Sequence, residues 1–205
     1  MATIKDCIVF LLLICSGSLI SGQPILEQYP ILPETSELRS ELVKVAASQV
    51  GVREKTGNND GPEIRMYLRE VGLSEGYPYC AAGMTWCHNQ LGIPNPESAW
   101  SPSWFTSNVV YRRNQPRMTT FASRPGQVAG FYSETKRRVS HVGLIEGESR
   151  LHYYTIEFNT NGAGSDEGQG VRRLIRRKNS VHVISDFVGY TEIKQAMKES
   201  KTKAK

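Results

Sequence analysis

The side chains best suited to covalent chemistry in this 205-residue chain are two cysteines in the stretch "YPYCAAGMTWCHNQLG", Cys80 and Cys87. A disulfide, a pair of metal ligands, or one reactive thiol beside an inert one would each fit that pairing. The segment Ala81 to Trp86 is rich in helix formers, and Gly92 is a natural stop. A helix beginning near Cys80 would put Cys87 two turns away, ~10 Å along the axis. A disulfide requires Cα atoms within ~7 Å, and a zinc site requires sulfurs ~2.3 Å from one ion. Helix geometry therefore disfavours both, and the asymmetric reading survives. Cys80, Met84, Cys87 and Leu91 then form one apolar stripe, with Cys87 mid-stripe as a small buried residue. Cys80 stands at the first turn. There, free backbone N–H groups and the positive end of the helix dipole favour a thiolate and can hold an oxyanion.

A nucleophile needs a base, and the base needs an orienting group. The histidines are His88, His141, His152 and His182. His88 shares the cysteine helix but points away from its start, and His152 and His182 sit at strand starts, where a surface histidine is ordinary. His141 opens "HVGLIEG" after the charged turn "SETKRRVS", so it is expected at the mouth of a strand, within reach of a neighbouring helix end. In "YYTIEFNTNG", Glu157 and Asn159 are two apart. On a strand both would point to one face, with Ile156 and Phe158 on the other. An acid and an amide there can fix the orientation and tautomer of an imidazole.

The elements that must position these groups follow from periodicity. Leu38, Leu42 and Val45 recur at helical spacing from Ser36, with Thr35 or Ser36 as N-cap. "GVREKTGNNDG" is a loop by composition. Pro62 with Ile64, Tyr67, Leu68 and Val71 marks a second helix. Residues 93–124, rich in Pro, Ser and Trp, read as irregular, with a short helix near Ser103 to Tyr111. Five strands are expected: Gln127 to Tyr132, His141 to Glu146, Tyr153 to Asn159, Gly170 to Ile175 and Val181 to Tyr190. Helices first and consecutive strands after argue for an α+β fold, with helices on one antiparallel sheet.

The N-terminus sets the expected compartment. Lys5, the apolar run Ile8 to Ile14 and the small, polar stretch Ser16-Gly17-Ser18 with Ile20-Ser21-Gly22 describe a secretory signal peptide. The run is too short for a membrane helix, which needs roughly 20 apolar residues. Cys15 raises a lipid anchor, which the bulky Ile14 before it disfavours. The expected organisation is a signal peptide (1–22), an extended leader (23–35), one domain (36–192) and a basic tail (193–205). The formal charge of +5 is unchanged by removing Lys5 and Asp6 with the signal. A basic surface favours polyanions, and export leaves an acidic cell wall ahead of nucleic acid. No cofactor or metal is expected; Asn58, Asp60 and Glu63 only loosely resemble calcium ligands at non-standard spacing.

Taken together, "VGVREKTGNNDGPEIRMYLREVGL", "GYPYCAAGMTWC", "PGQVAGFY…SHVGLIEG", "TIEFNTNG" and "GVRRLIRR" resemble the CHAP family of cysteine- and histidine-dependent amidohydrolases and peptidases, from about Ala46 to Tyr190. The resemblance implies a papain-like fold and hydrolysis of a peptidoglycan amide through an acyl-enzyme. Residue by residue it implies Cys80 as nucleophile and His141 as general base and later acid. Glu157 would orient His141, and Asn159 would assist in orientation or in the oxyanion site. The family commonly has Asp where this chain has Gln127, and Gly where it has Phe158, which should face away from the site. The partner implied is peptidoglycan, met by a secreted or envelope monomer with no stable membrane insertion. A non-catalytic wall- or glycan-binding module of the same fold, or an antibacterial toxin with the same chemistry, are the competing readings.

Overall fold

The structure, a computed structural model, describes residues 33–115, 123–162, 168–189 and 191. The expected signal peptide, most of the leader and the basic tail lie outside the described residues.

Three helices precede the sheet. Helix α1 (Pro33–Ala47) begins three residues before Ser36. Proline suits a first helical turn, so Thr35 and Ser36 lie inside the helix instead of capping it, and the expected leader loses its last three residues. Leu42 and Ala46 enter the core. Helix α2 (Pro62–Arg69) has Pro62 in its first turn and buries Ile64, Tyr67 and Leu68. Helix α3 (Cys80–Asn89) departs from the one-stripe expectation, because every residue from Cys80 to His88 is buried. A helix enclosed on all sides needs small or apolar residues throughout. Ala81, Ala82 and Gly83 meet that need, and His88 is accommodated by one hydrogen bond, Nδ1 donating to the Met84 carbonyl at 2.8 Å, while its Nε2 has no partner.

The six strands are β1 (Val109–Arg112), β2 (Val128–Ser133), β3 (Arg138–Glu148), β4 (His152–Thr160), β5 (Gly170–Arg177) and β6 (Val183–Ser185). They form one sheet in the order β1-β6-β2-β3-β4-β5, antiparallel at every pairing. The class is therefore α+β. Helix α3 lies against β3 and β4, over Val142, Leu144, Ile156 and Phe158. Ala129, Ile145, Tyr153, Val181 and Ile184 pack together as a separate cluster, joined by Phe131.

Two expectations are corrected. The helix near Ser103 to Tyr111 is instead a 3-10 turn at Ser101–Phe105 followed by β1. Pro102 starts that turn, and Asn108, at φ 56°, redirects the chain into the strand. The strand expected over Val181 to Tyr190 shrinks to Val183–Ser185. Asp186 stops it: its Oδ1 accepts the Gly189 N–H at 2.8 Å, starting helical backbone at residues 187–189.

Two irregularities in the ladders matter for the site. Phe131 pairs with His141 but Tyr132 pairs with Val139, which leaves Ser140 as the extra residue of a bulge. Glu157 pairs with Arg172 and Thr160 with Gly170, so Phe158 and Asn159 face Val171 alone. Bulges re-aim side chains that regular alternation would place elsewhere.

Candidate active site

Cys80 is the first residue of α3, preceded by Tyr79 as an N-cap without a side-chain cap bond. The thiol is 3% exposed, and its Sγ lies 3.5 Å from Ser101 Oγ. Ser101 in turn donates to the Ser140 carbonyl at 3.3 Å. One hydroxyl thus joins the start of α3 to the bulge beside His141.

His141 is the fourth residue of β3, not its first, because the strand begins at Arg138. Its Nε2 lies 2.8 Å from Glu157 Oε2. The opposite ring nitrogen, Nδ1, is buried with no hydrogen-bond partner, and Cys80 is close enough to the imidazole to shift its pKa. Burial alone would raise the Cys80 pKa, but His141, Ser101 and the Ala81 N–H outweigh it and lower it. Burial alone would lower the His141 pKa, but Cys80 and Glu157 raise it to about 9. Both shifts favour a thiolate–imidazolium pair.

Glu157 is fully buried on β4. Burial would raise its pKa, yet Arg176 and His141 hold it down to about 2. Arg176, on β5, donates from Nε to Oε1 at 2.8 Å and from a terminal nitrogen to Oε2. Thr155 Oγ1 donates to Oε1 at 2.6 Å. The guanidinium also lies over the Phe131 ring, 4.6 Å from its centroid, and that ring is 5.8 Å from the imidazole. Room for the carboxylate comes from Gly143, where a Cβ would stand 2.6 Å from Glu157 Cγ. The acid is thus ionised, fixed on three sides and pointed at the imidazole.

Asn159 is fully buried, but it sits in the second bulge at φ 52°, a left-handed conformation that asparagine tolerates. The two-residue spacing from Glu157 therefore does not translate into a shared strand face. The Asn159 backbone adjoins the Tyr79 hydroxyl and its carbonyl accepts the Gly168 N–H at 3.1 Å. Of the expected polar pair, Glu157 is the group on His141 Nε2. Phe158 packs beneath α3, where a Cβ on Gly83 would overlap its ring, and meets Tyr67 edge-on at 5.0 Å between centroids.

The other candidates stand apart from this cluster. Cys87 is a free buried thiol whose pKa burial pushes up. His88 is buried, with a pKa lowered to about 4, mainly by desolvation. His182 stacks on Tyr132 at 4.9 Å. Gln127 holds the turn at Pro125 and Gly126: Oε1 accepts the Arg124 N–H, and Nε2 donates to Asp186, each at 2.9 Å.

Sequence reasoning missed Ser101, Thr155, Gly143 and Arg176. Arg176 left little signal: strand pairing sets Arg172 opposite Glu157 and Arg176 opposite Tyr153, and the run "RRLIRR" reads first as solvated charge. Ser101 left none. Among the described residues, no three His, Cys, Asp or Glu side chains gather to hold a metal ion, and no helix is long and apolar enough to cross a membrane. No protein-family model matches the chain, and no curated protein or solved structure shows significant similarity to it.

Proposed function

We propose that this chain is an exported cysteine amidohydrolase or peptidase that cuts an amide bond of peptidoglycan, with a papain-like version of its α+β fold. The supporting observation is the cluster Cys80–His141–Glu157, in which a thiol at a helix start is electrostatically coupled to an imidazole whose Nε2 is held by a buried, ionised carboxylate. A module that only bound glycan would have no use for a buried thiol coupled to a histidine, which favours the catalytic reading over the binding one.

In the proposed reaction the Cys80 thiolate attacks the substrate carbonyl carbon, forming the C–S bond as the carbonyl oxygen takes up negative charge. The uncapped N–H groups at the start of α3 face that oxygen's developing charge favourably. His141 Nδ1–H delivers its proton to the leaving amine nitrogen as the C–N bond breaks. A water then attacks the thioester, giving its proton back to Nδ1, and the acid product departs with the thiol restored. Glu157 keeps Nε2 protonated, so Nδ1 is the nitrogen that exchanges the proton. The basic composition supports contact with an anionic wall, and the N-terminal signal-like segment supports export.

Digestion of purified peptidoglycan, with mass analysis of the fragments, tests this. Wild type and Cys87→Ala should release fragments, the latter with lowered stability, while Cys80→Ala should release none. New amino termini at alanine would mark an amidase, and termini within the peptide or cross-bridge an endopeptidase. Equal release by wild type and Cys80→Ala would overturn the reading.

A further inference from the structure

Trp100 and Arg138 form a pair that the proposed relay does not use. Trp100 immediately precedes Ser101, the hydroxyl on the Cys80 thiol, and its ring is 53% exposed. It is nonetheless held: its backbone N–H donates to Ser98 Oγ at 3.0 Å, and the Arg138 guanidinium lies 4.2 Å from its ring centroid. Arg138 is the first residue of β3, three before His141, and donates from one terminal nitrogen to the Val139 carbonyl at 3.1 Å. The pair therefore bridges the segment beside the nucleophile and the strand bearing the base.

Arg138 meets no carboxylate within ion-pair distance among the described residues, unlike Arg39, Arg65, Arg173 and Arg176. It closes the run Lys136-Arg137-Arg138, three cations against the one acid of that turn, Glu134. Stacking on an aromatic face fixes the plane of a guanidinium while leaving its edge to accept a planar anion. An arginine placed and oriented this way, with its charge unanswered, suits a carboxylate.

We propose that Trp100 and Arg138 form a substrate subsite that recognises a free carboxylate on the amide being cleaved, so that the substrate is an acidic peptide. This rests on the hydrolase reading above and narrows it, since wall stem peptides occur with free carboxyl groups or as carboxamides. Arg138 forms the ion pair, and Trp100 holds the guanidinium plane.

The test uses soluble muropeptides in two forms, one with free carboxyl groups and one with those groups converted to carboxamides. Titrated against Cys80→Ala, which keeps the rim but has no nucleophile, the carboxylate form should bind about tenfold more tightly, the scale of one charge-assisted contact at a partly exposed site. Adding Arg138→Gln should erase that preference, and Trp100→Ala should reduce it. Arg138→Lys should keep a smaller preference, because charge remains without the fork. In enzymes retaining Cys80, the Arg138 variants should raise KM for the carboxylate form with little change in kcat. Equal binding of the two forms, with wild type hydrolysing both, would overturn the subsite and leave the hydrolase standing. Failure of wild type to bind or cleave either form would overturn both.

Discussion

At the residue scale the decisive feature is how Glu157 is held. An isolated buried carboxylate would escape its desolvation penalty by taking up a proton. Here Arg176 and Thr155 supply donors to it, so it remains charged and favours the imidazolium form of His141. The consequence is a pH window. Activity should rise as Cys80 ionises below its ordinary range and fall as His141 loses its proton near pH 9. Glu157→Gln removes one of the two partners that raise the imidazole pKa, so the alkaline limb should move to lower pH and kcat/KM should drop by about 10² or more. A pH–rate profile of the two proteins reads this directly. An unchanged alkaline limb would mean that Glu157 does not govern His141.

At the element scale, the two bulges and two glycines aim the site. Ser140 interrupts the β2–β3 ladder, and the register turns His141 with it. Gly143 makes room for Glu157, and Gly83 lets α3 settle onto Phe158. Alanine is the better helix former than glycine by ~1 kcal/mol, yet Gly83→Ala would drive a methyl into an aromatic ring, and overpacking of this kind costs about 1–3 kcal/mol. Gly83→Ala should therefore lower the urea midpoint and also displace the helix that presents Cys80, reducing activity at pH 7. A variant of unchanged or higher stability would show that the helix rides over Phe158 with slack.

At the scale of the whole molecule, the first helix and the end of the last strand are tied by a buried ion pair. Arg39 donates to both Asp186 oxygens, at 3.0 and 2.9 Å, and to the Pro125 carbonyl at 3.1 Å. Gln127 and the Gly189 N–H complete the ring of donors around the acid. Removing one partner strands a buried charge, a change that costs about 3–5 kcal/mol, a large share of typical domain stability. Arg39→Ala should lower the urea midpoint sharply at pH 7. The double variant Arg39→Met with Asp186→Asn should recover part of that loss, because no charge is left unpaired and the amide oxygen can still accept from the Gly189 N–H. No recovery would show that packing around Arg39, not its charge, is what matters.

The sequence by itself determined the class of the fold and the order of its parts. Helical spacing from Leu38 onward and the short apolar runs after Gln127 are local patterns, and a local pattern is enough to specify an element. It also separated Cys80 from Cys87, because helical rise alone keeps two thiols seven residues apart from meeting. Tertiary structure decided what depends on register and long-range contact. Asn159 illustrates the limit: alternation put it beside Glu157, but an extra residue opposite Val171 sends its backbone into a left-handed turn. Ser101 and Arg176 lie 21 and 19 positions from Cys80 and Glu157, and their contacts depend on a turn packing under the sheet and on strand pairing. A single sequence specifies which side chains are available. Only the packed sheet, with its bulges, determines which of them touch.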